Sequence, residues 1–303
     1  MKFGTYIKMC RERYELTQEE LVNHLYMHDD LFIKLDVVTL SRWEREVTRP
    51  NFERQRKLIQ AFRKFSDDIF PGHALLDAAH ILQQTTQLGI TKIVGKHKRY
   101  ILDFPKDLIN INNITISDMK TTSYFESSLK LTYQLHKKIT NNVSNLTQNH
   151  FKIWASHPKS FFLLANYDEH FFGMLFSLSL TQEAFNRLLA REMKESDIQE
   201  EHFAKEGEKE YVYPLGFFAY SEESATQLLL AHYHYLVSHQ HTIDEVGILV
   251  KIEEGHKLAK ELGLHPSTDM STLPVSYRAK IEDTLLNDNA LSIVFEKFKP
   301  KNK

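Results

Sequence analysis

The first 70 residues gather side chains suited to hydrogen bonding with a polyanion: Gln18, Thr39, Ser41, Arg42, Arg45 and Arg49. Within TLSRWEREVTRP (39–50), helical spacing turns Leu40 and Trp43 inward with Val47 and leaves Thr39, Arg42 and Glu46 on another face. An arginine so placed can pair bidentately with guanine O6 and N7, worth roughly 1–3 kcal/mol of discrimination against a wrong base. Val37 and Val38, at the start of the same helix, would meet base edges by apolar contact, with thymine methyl groups as partners. Gln18, Arg45 and Arg49 would hold phosphates, which fix register without reading sequence. The plainer alternative is a small helical bundle that uses these residues for packing and surface charge.

A second group lies far downstream. Tyr211, Tyr213 and Phe217 share one strand face by their odd spacing, with Tyr220 at the strand's end. They either pack against helices as any aromatic strand does, or line a pocket for a small effector. His232, His234, His239 and His241 crowd one helix end, but 232 and 234 point about 200 degrees apart, unlike the three-or-four spacing of helical metal ligands. No metal and no cofactor are expected. Cys10 falls on the apolar face of the first helix and reads as a small core residue. Glu192, Glu195, Glu200 and Glu201, with Lys194, read as a solvated surface.

Elements to carry these groups follow from periodicity. Phe3, Ile7, Cys10 and Tyr14 mark a first helix, and Thr17 with Glu20 forms a capping box that opens a second. Asp36 caps a third helix to about Glu46, and Asn51 caps a fourth that buries Leu58, Phe62 and Phe65. Residues 73–88 make a connecting helix ended by Gly89. Beyond them, strands are expected at Ile114–Ser117, Phe161–Ala165, Phe171–Leu180, Tyr211–Tyr220, Glu245–Ile252 and Leu291–Phe295. Helices are expected near 122–140, 181–203, 222–238 and 253–262, so the class is α/β. The predicted domains are 1–70, all-α; 71–95, a connecting helix and linker; and 96–303, mixed α/β.

Composition bounds the partners. Across 303 residues, 42% are hydrophobic and 26% charged, which describes a folded globular chain with room for two domains. The net charge of -2 excludes a wholly basic nucleic-acid binder. Even residues 1–70 carry 13 Lys plus Arg against 12 Asp plus Glu, so a single such head would bind DNA weakly and two would have to act together. One cysteine and no leader pattern point to a reducing, cytoplasmic setting. The longest apolar run, Phe171–Leu180, is about half the roughly 20 residues a membrane helix needs, so no membrane partner is expected.

Two resemblances follow from these motifs. Arg11, Leu16–Leu21, Thr39–Glu44 and Arg49-Pro50 resemble the Xre/Cro helix-turn-helix repressors over about the first 70 residues. That likeness implies a recognition helix over Thr39–Trp43 and a double-stranded DNA operator as partner. Two features depart from it: ten residues separate Leu25 from Asp36, and Glu46 stands where that family commonly has glycine. From about 113 to 300 the chain resembles the GNAT superfamily of N-acetyltransferases, through SFFLLAN, HFFGMLFSLSL with Gly173, YVYPLGFFAY and GHKLAKELGL. In that family a strand-to-helix junction cradles the pyrophosphate of acetyl-CoA. Aligning Leu228-Leu229 with its leucine pair puts Tyr220, Glu223 and Ala225 at the cradle positions, without the glycine, and Ala259 where a general-acid tyrosine often stands.

The expectation drawn is a non-enzymatic, sequence-specific transcriptional regulator. Its helix-turn-helix head would be joined to a GNAT-like module that senses a small ligand or forms a homodimer or higher homo-oligomer. The alternatives are an N-acetyltransferase with a DNA-binding head, and an antitoxin-like partner of another protein.

Overall fold

The computed structural model describes residues 1–71, 113–122, 125–139, 145–168, 170–251, 253–267 and 274–295. The expected connecting helix, 73–88, lies outside the described residues. The chain divides into two compact units, Met1–Gln87 with Leu285–Lys303, and Leu88–Thr284.

The first unit is helical. Helix α1 (Phe3–Arg13) buries Phe3, Tyr6, Ile7 and Cys10 on one face. Helix α2 (Gln18–His28) opens with the reciprocal Thr17/Glu20 capping box. The stretch YMHDDLFIKL continues α2 to His28, then makes a 3-10 turn over Asp30–Phe32 before α3 (Val37–Glu44). Asp36 caps α3 through the Thr39 N–H, and Asn51 caps α4 (Phe52–Phe62) through that of Arg54. Leu40 and Trp43 are buried as expected, but Val47 is exposed: the backbone leaves the helix at Arg45, and Glu46 adopts a left-handed φ of 58°. That conformation is one glycine adopts without cost.

Residues expected to form a strand at Leu291–Phe295 instead form helix α11 (Asp288–Val294), capped by Asn287. A short apolar run does not distinguish a buried strand from a buried helix. Phe295 meets Phe3 edge to face, and Arg56 pairs with Asp288 at 2.7 Å, so this helix completes the core begun by α1 and α4.

Among the described residues the second unit holds a seven-stranded mixed sheet in the order β1-β2-β3-β4-β5-β7-β6. Its strands are β1 (Ile114–Asp118), β2 (Ser160–Tyr167), β3 (His170–Leu180), β4 (Glu210–Ala219), β5 (Ile243–Val250), β6 (His265–Pro266) and β7 (Val275–Lys280). Its helices are α5 (Phe125–Ile139), α6 (Gln148–Ser156), α7 (Gln182–Leu189), α8 (Glu222–Ser238), α9 (Glu253–Glu261) and α10 (Ile281–Leu285). The helix expected over 181–203 stops at Leu189, where Arg191 turns left-handed (φ 63°), and two 3-10 turns follow at Glu195–Asp197 and Glu200–His202.

One sheet face packs on α5, α6 and α7 through Leu129, Phe151, Trp154, Phe185 and Leu188. On the other, α8 satisfies two buried serines of β3: Ser177 Oγ meets His232 Nε2 at 3.1 Å, and Ser179 Oγ meets the Tyr235 hydroxyl at 3.2 Å. Gly173 lets α8 approach, because a Cβ there would stand 3.0 Å from Leu228 Cδ1 and 2.9 Å from the Phe218 carbonyl oxygen. Among the described residues no helix is long and apolar enough to cross a membrane.

Candidate active site

Every pair of neighbouring strands is antiparallel except β4 and β5. Those two run parallel and pair only over Glu210–Val212 against Ile243–Val246. Beyond that point they part, while β4 stays bonded to β3 as far as Ala219 and β5 to β7 as far as Val250. Two strand edges with backbone N–H and C=O groups therefore face an opening, which an extended chain of amides can enter by pairing with either edge.

A bulge shapes β4 at the same place. Phe176 pairs with Gly216 and Ser177 with Pro214, leaving Leu215 as the extra residue. One inserted residue reverses the faces of all that follow. Tyr211 and Tyr213 lie over Leu180 and Leu178 on the α7 side, whereas Phe217 lies over Leu175 on the opposite side. Tyr220 packs at the strand end on Phe171, Phe172 and Phe218. The four aromatic residues expected to line one pocket are thus divided between two faces and a strand end. The odd spacing that seemed to unite them fails because of the bulge.

Tyr213 reaches across the opening. Its hydroxyl donates to Glu195 Oε1 at 2.7 Å, and the Leu249 backbone N–H of β5 points to it. Glu195 Oε2 accepts from Lys251 Nζ, one residue past the end of β5, at 2.5 Å. Burial, and then the neighbouring carboxylate, raise the Tyr213 pKa well above its ordinary value, so the phenol stays protonated. His136 of α5 lies in the field of Glu195 and Lys251 and edge to face with Phe151. Burial lowers its pKa to about 4, so the imidazole is neutral at physiological pH.

Glu195, expected on the solvated surface with Glu192, Glu200 and Glu201, is instead drawn inward: its side chain is 9% exposed. The 3-10 turn it opens sets it under the sheet, and no periodic signal marks such a turn. Neither His136 nor Lys251 stood out, since a lone histidine on an amphipathic helix and a lysine after a strand are commonplace in sequence.

The strand-to-helix turn after β4 is closed on itself. Ser221 Oγ accepts from the Ser224 N–H at 3.1 Å, and the Ser221 N–H donates to Ser224 Oγ at 3.2 Å. The N–H groups of Tyr220 and Ala225 are held by the carbonyls of Phe172 and Ser221. Ser221 and Ser224 are buried, and Glu223 stands in the first turn of α8. The crowded histidines disperse: His232 bonds Ser177, His239 lies on Tyr235, and His234 and His241 are exposed. Among the described residues no three His, Cys, Asp or Glu side chains gather as a metal site.

In the helical unit, the residues expected to touch nucleic acid fall into two sets. Val37, Val38, Arg42 and Arg45 are exposed, and Thr39 and Ser41 half-buried, with Arg45 Nε donating to the Ser41 carbonyl at 3.2 Å. Gln18 and Arg49, expected to hold phosphates, are engaged internally. Gln18 Nε2 donates to Glu44 Oε2 at 2.7 Å beside the Arg11–Glu44 ion pair. Arg49 donates to Gln55 Oε1 at 3.2 Å and lies over the Phe3 ring. A buried Glu44 requires such partners.

No family model and no curated protein matches the chain. Solved structures do match part of it. FeeM, an N-acyl amino acid synthase from uncultured soil microbes, aligns at 11% identity over 56% of this chain and 91% of its own, with a TM-score of 0.39. Arabidopsis thaliana NAA60, solved with acetyl-CoA, aligns at 14% identity over 55% of this chain and 96% of its own, with a TM-score of 0.38. A GNAT-family acetyltransferase from Staphylococcus aureus Mu50 aligns at 11% identity over 55% of this chain and 99% of its own, with a TM-score of 0.36. The likeness is one of fold, to the GNAT-like α/β unit expected from the sequence. The proteins named are a synthase and acetyltransferases, against the expectations of a DNA-binding transcriptional regulator and of a non-enzyme.

Proposed function

We propose that residues 113–284 form an acyltransferase that moves an acyl group from a thioester to a primary amine at the opening between β4 and β5. One observation carries this reading: a parallel strand pair parts beside a Tyr213–Glu195–Lys251 chain, buried at its tyrosine and exposed at its lysine, and a neutral imidazole. An extended thioester arm pairs its amides with the open strand edges, which presents the carbonyl carbon at the parting point. The amine nitrogen attacks that carbon, a C–N bond forms and the C–S bond breaks. The proton lost by nitrogen passes to His136, and from the imidazolium to the departing thiolate. A thiolate with an ordinary pKa near 8.5 is a far stronger base than an imidazole of pKa about 4, so the second transfer runs downhill. The products are an amide and a free thiol. Tyr213, tied to Glu195 and Leu249, keeps the two parted strands in register as a positioning residue.

The test is thiol release from S-acetyl thioesters in the presence of a panel of primary amines. The intact chain should release thiol in an amine-dependent way, and His136→Gln should lower kcat at least about 100-fold with KM little changed. Absence of amine-dependent release across the panel would sink the proposal.

A further inference from the structure

Coenzyme A ends in a nucleotide whose pyrophosphate needs free backbone N–H groups and an approach clear of negative charge. The turn between β4 and α8, where the resemblance places that cradle, has its capping N–H groups engaged and carries a carboxylate at its helix start. The N–H groups of Tyr220, Ser221, Ser224 and Ala225 are each bonded within the chain, the two serines reciprocally and out of solvent. Glu223 occupies the position where the cradle has glycine, so a carboxylate stands in the first turn of α8, where a phosphate would need an unopposed helix N-terminus. The pyrophosphate does not fit the residues present. Among the described residues no strand pairs with the β4 edge beyond the parting point, and a Cβ built on Gly216 meets no atom within 4 Å. A donor arm can thus enter the opening although its usual anchor is missing.

We infer that the acyl donor is a thioester on an uncharged, amide-bearing arm of pantetheine type, with no nucleotide pyrophosphate bound by the chain. The inference rests on the acyltransferase reading above and names its donor class. A donor of this kind makes its contacts through amides along β4 and owes nothing to the β4–α8 turn.

Calorimetric titration with S-acetylpantetheine and with acetyl-CoA separates the possibilities, because the two differ by the nucleotide diphosphate alone. Dissociation constants within fivefold of each other, or tighter binding of S-acetylpantetheine, are expected. Acetyl-CoA binding more than fivefold tighter overturns the inference while leaving acyl transfer standing. Binding of neither probe, with no thiol release, overturns the acyltransferase reading and the donor assignment together. Glu223→Gly should shift the affinity ratio at least fivefold toward acetyl-CoA, and Glu223→Gln should shift it in the same direction. A ratio unchanged in both variants overturns the role given to this turn.

Discussion

Tyr213 and Glu195 are joined by a 2.7 Å hydrogen bond that ties the parting point of β4 to a 3-10 turn beneath the sheet. Replacing Tyr213 with Phe leaves a mostly buried carboxylate oxygen and the Leu249 N–H without their phenol partner. Unfolding stability should fall by about 1–3 kcal/mol. The chain has two tryptophans, and Trp154 is buried in the sheet unit, so urea unfolding followed by its fluorescence in a Trp43→Phe background checks this. A loss under about 0.5 kcal/mol would show that the phenol contributes little there.

The Arg11–Glu44 pair gives a second prediction. Glu44 is buried and accepts from Arg11 at 2.6 Å and from Gln18 at 2.7 Å. Glu44→Ala removes the carboxylate partner of the part-buried Arg11 guanidinium, which keeps the Leu16 carbonyl, and of Gln18, and should cost the helical unit about 1–3 kcal/mol. Trp43, buried in α3, reports it once Trp154 is replaced by Phe. An unchanged denaturation midpoint would contradict the assignment.

Acid should destabilise the sheet unit over a definite range. Burial lowers His136 and His232 from 6.5 to about 4 each. As pH falls below 6.5 the unfolded chain takes up protons that the folded chain refuses until about 4. Stability that is complete above 6.5 is therefore lost progressively between 6.5 and 4, by on the order of 3 kcal/mol per histidine. Titrating the Trp154 signal in fixed urea measures the slope, and His232→Gln should make it shallower. A flat profile from pH 7 to 4.5 would refute the burial of both rings.

Two glycines in neighbouring strands should behave oppositely. A Cβ on Gly247 would stand 2.6 Å from Phe185 Cζ and 3.0 Å from Leu189 Cδ1, whereas one on Gly216 meets nothing within 4 Å. Gly247→Ala should cost roughly 1–3 kcal/mol through overpacking against α7. Gly216→Ala should stay within about 0.5 kcal/mol of the parent. Paired thermal melts decide, and equal losses would be the wrong result.

Legibility in the sequence followed the range of the interactions. The Thr17/Glu20 box, the Asp36 and Asn51 caps and the Leu40–Trp43 pair are local, and each is where its spacing puts it. The long apolar strands β2, β3 and β4 were equally plain, while β7, short and interrupted by Ser276 and Arg278, gave no signal. The site was hidden because its members come from α5, a 3-10 turn, β4 and the end of β5, joined only by tertiary contacts. The Leu215 bulge reversed a face that parity alone assigns wrongly, and the Pro214 and Gly216 that flank Leu215 in YVYPLGFFAY are the signal that could have marked it.

Helix α11 has a consequence for synthesis on the ribosome. Phe3, Tyr6 and Phe70 emerge early, but Phe295, which packs against all three, follows Pro71 by roughly 220 residues. At about 5–20 residues per second, the apolar surface around Phe3 waits roughly 10–45 s for its cover. During that interval the nascent helical unit presents an aromatic face to whatever is near it, and a chaperone that holds such faces would meet this chain by its first 70 residues.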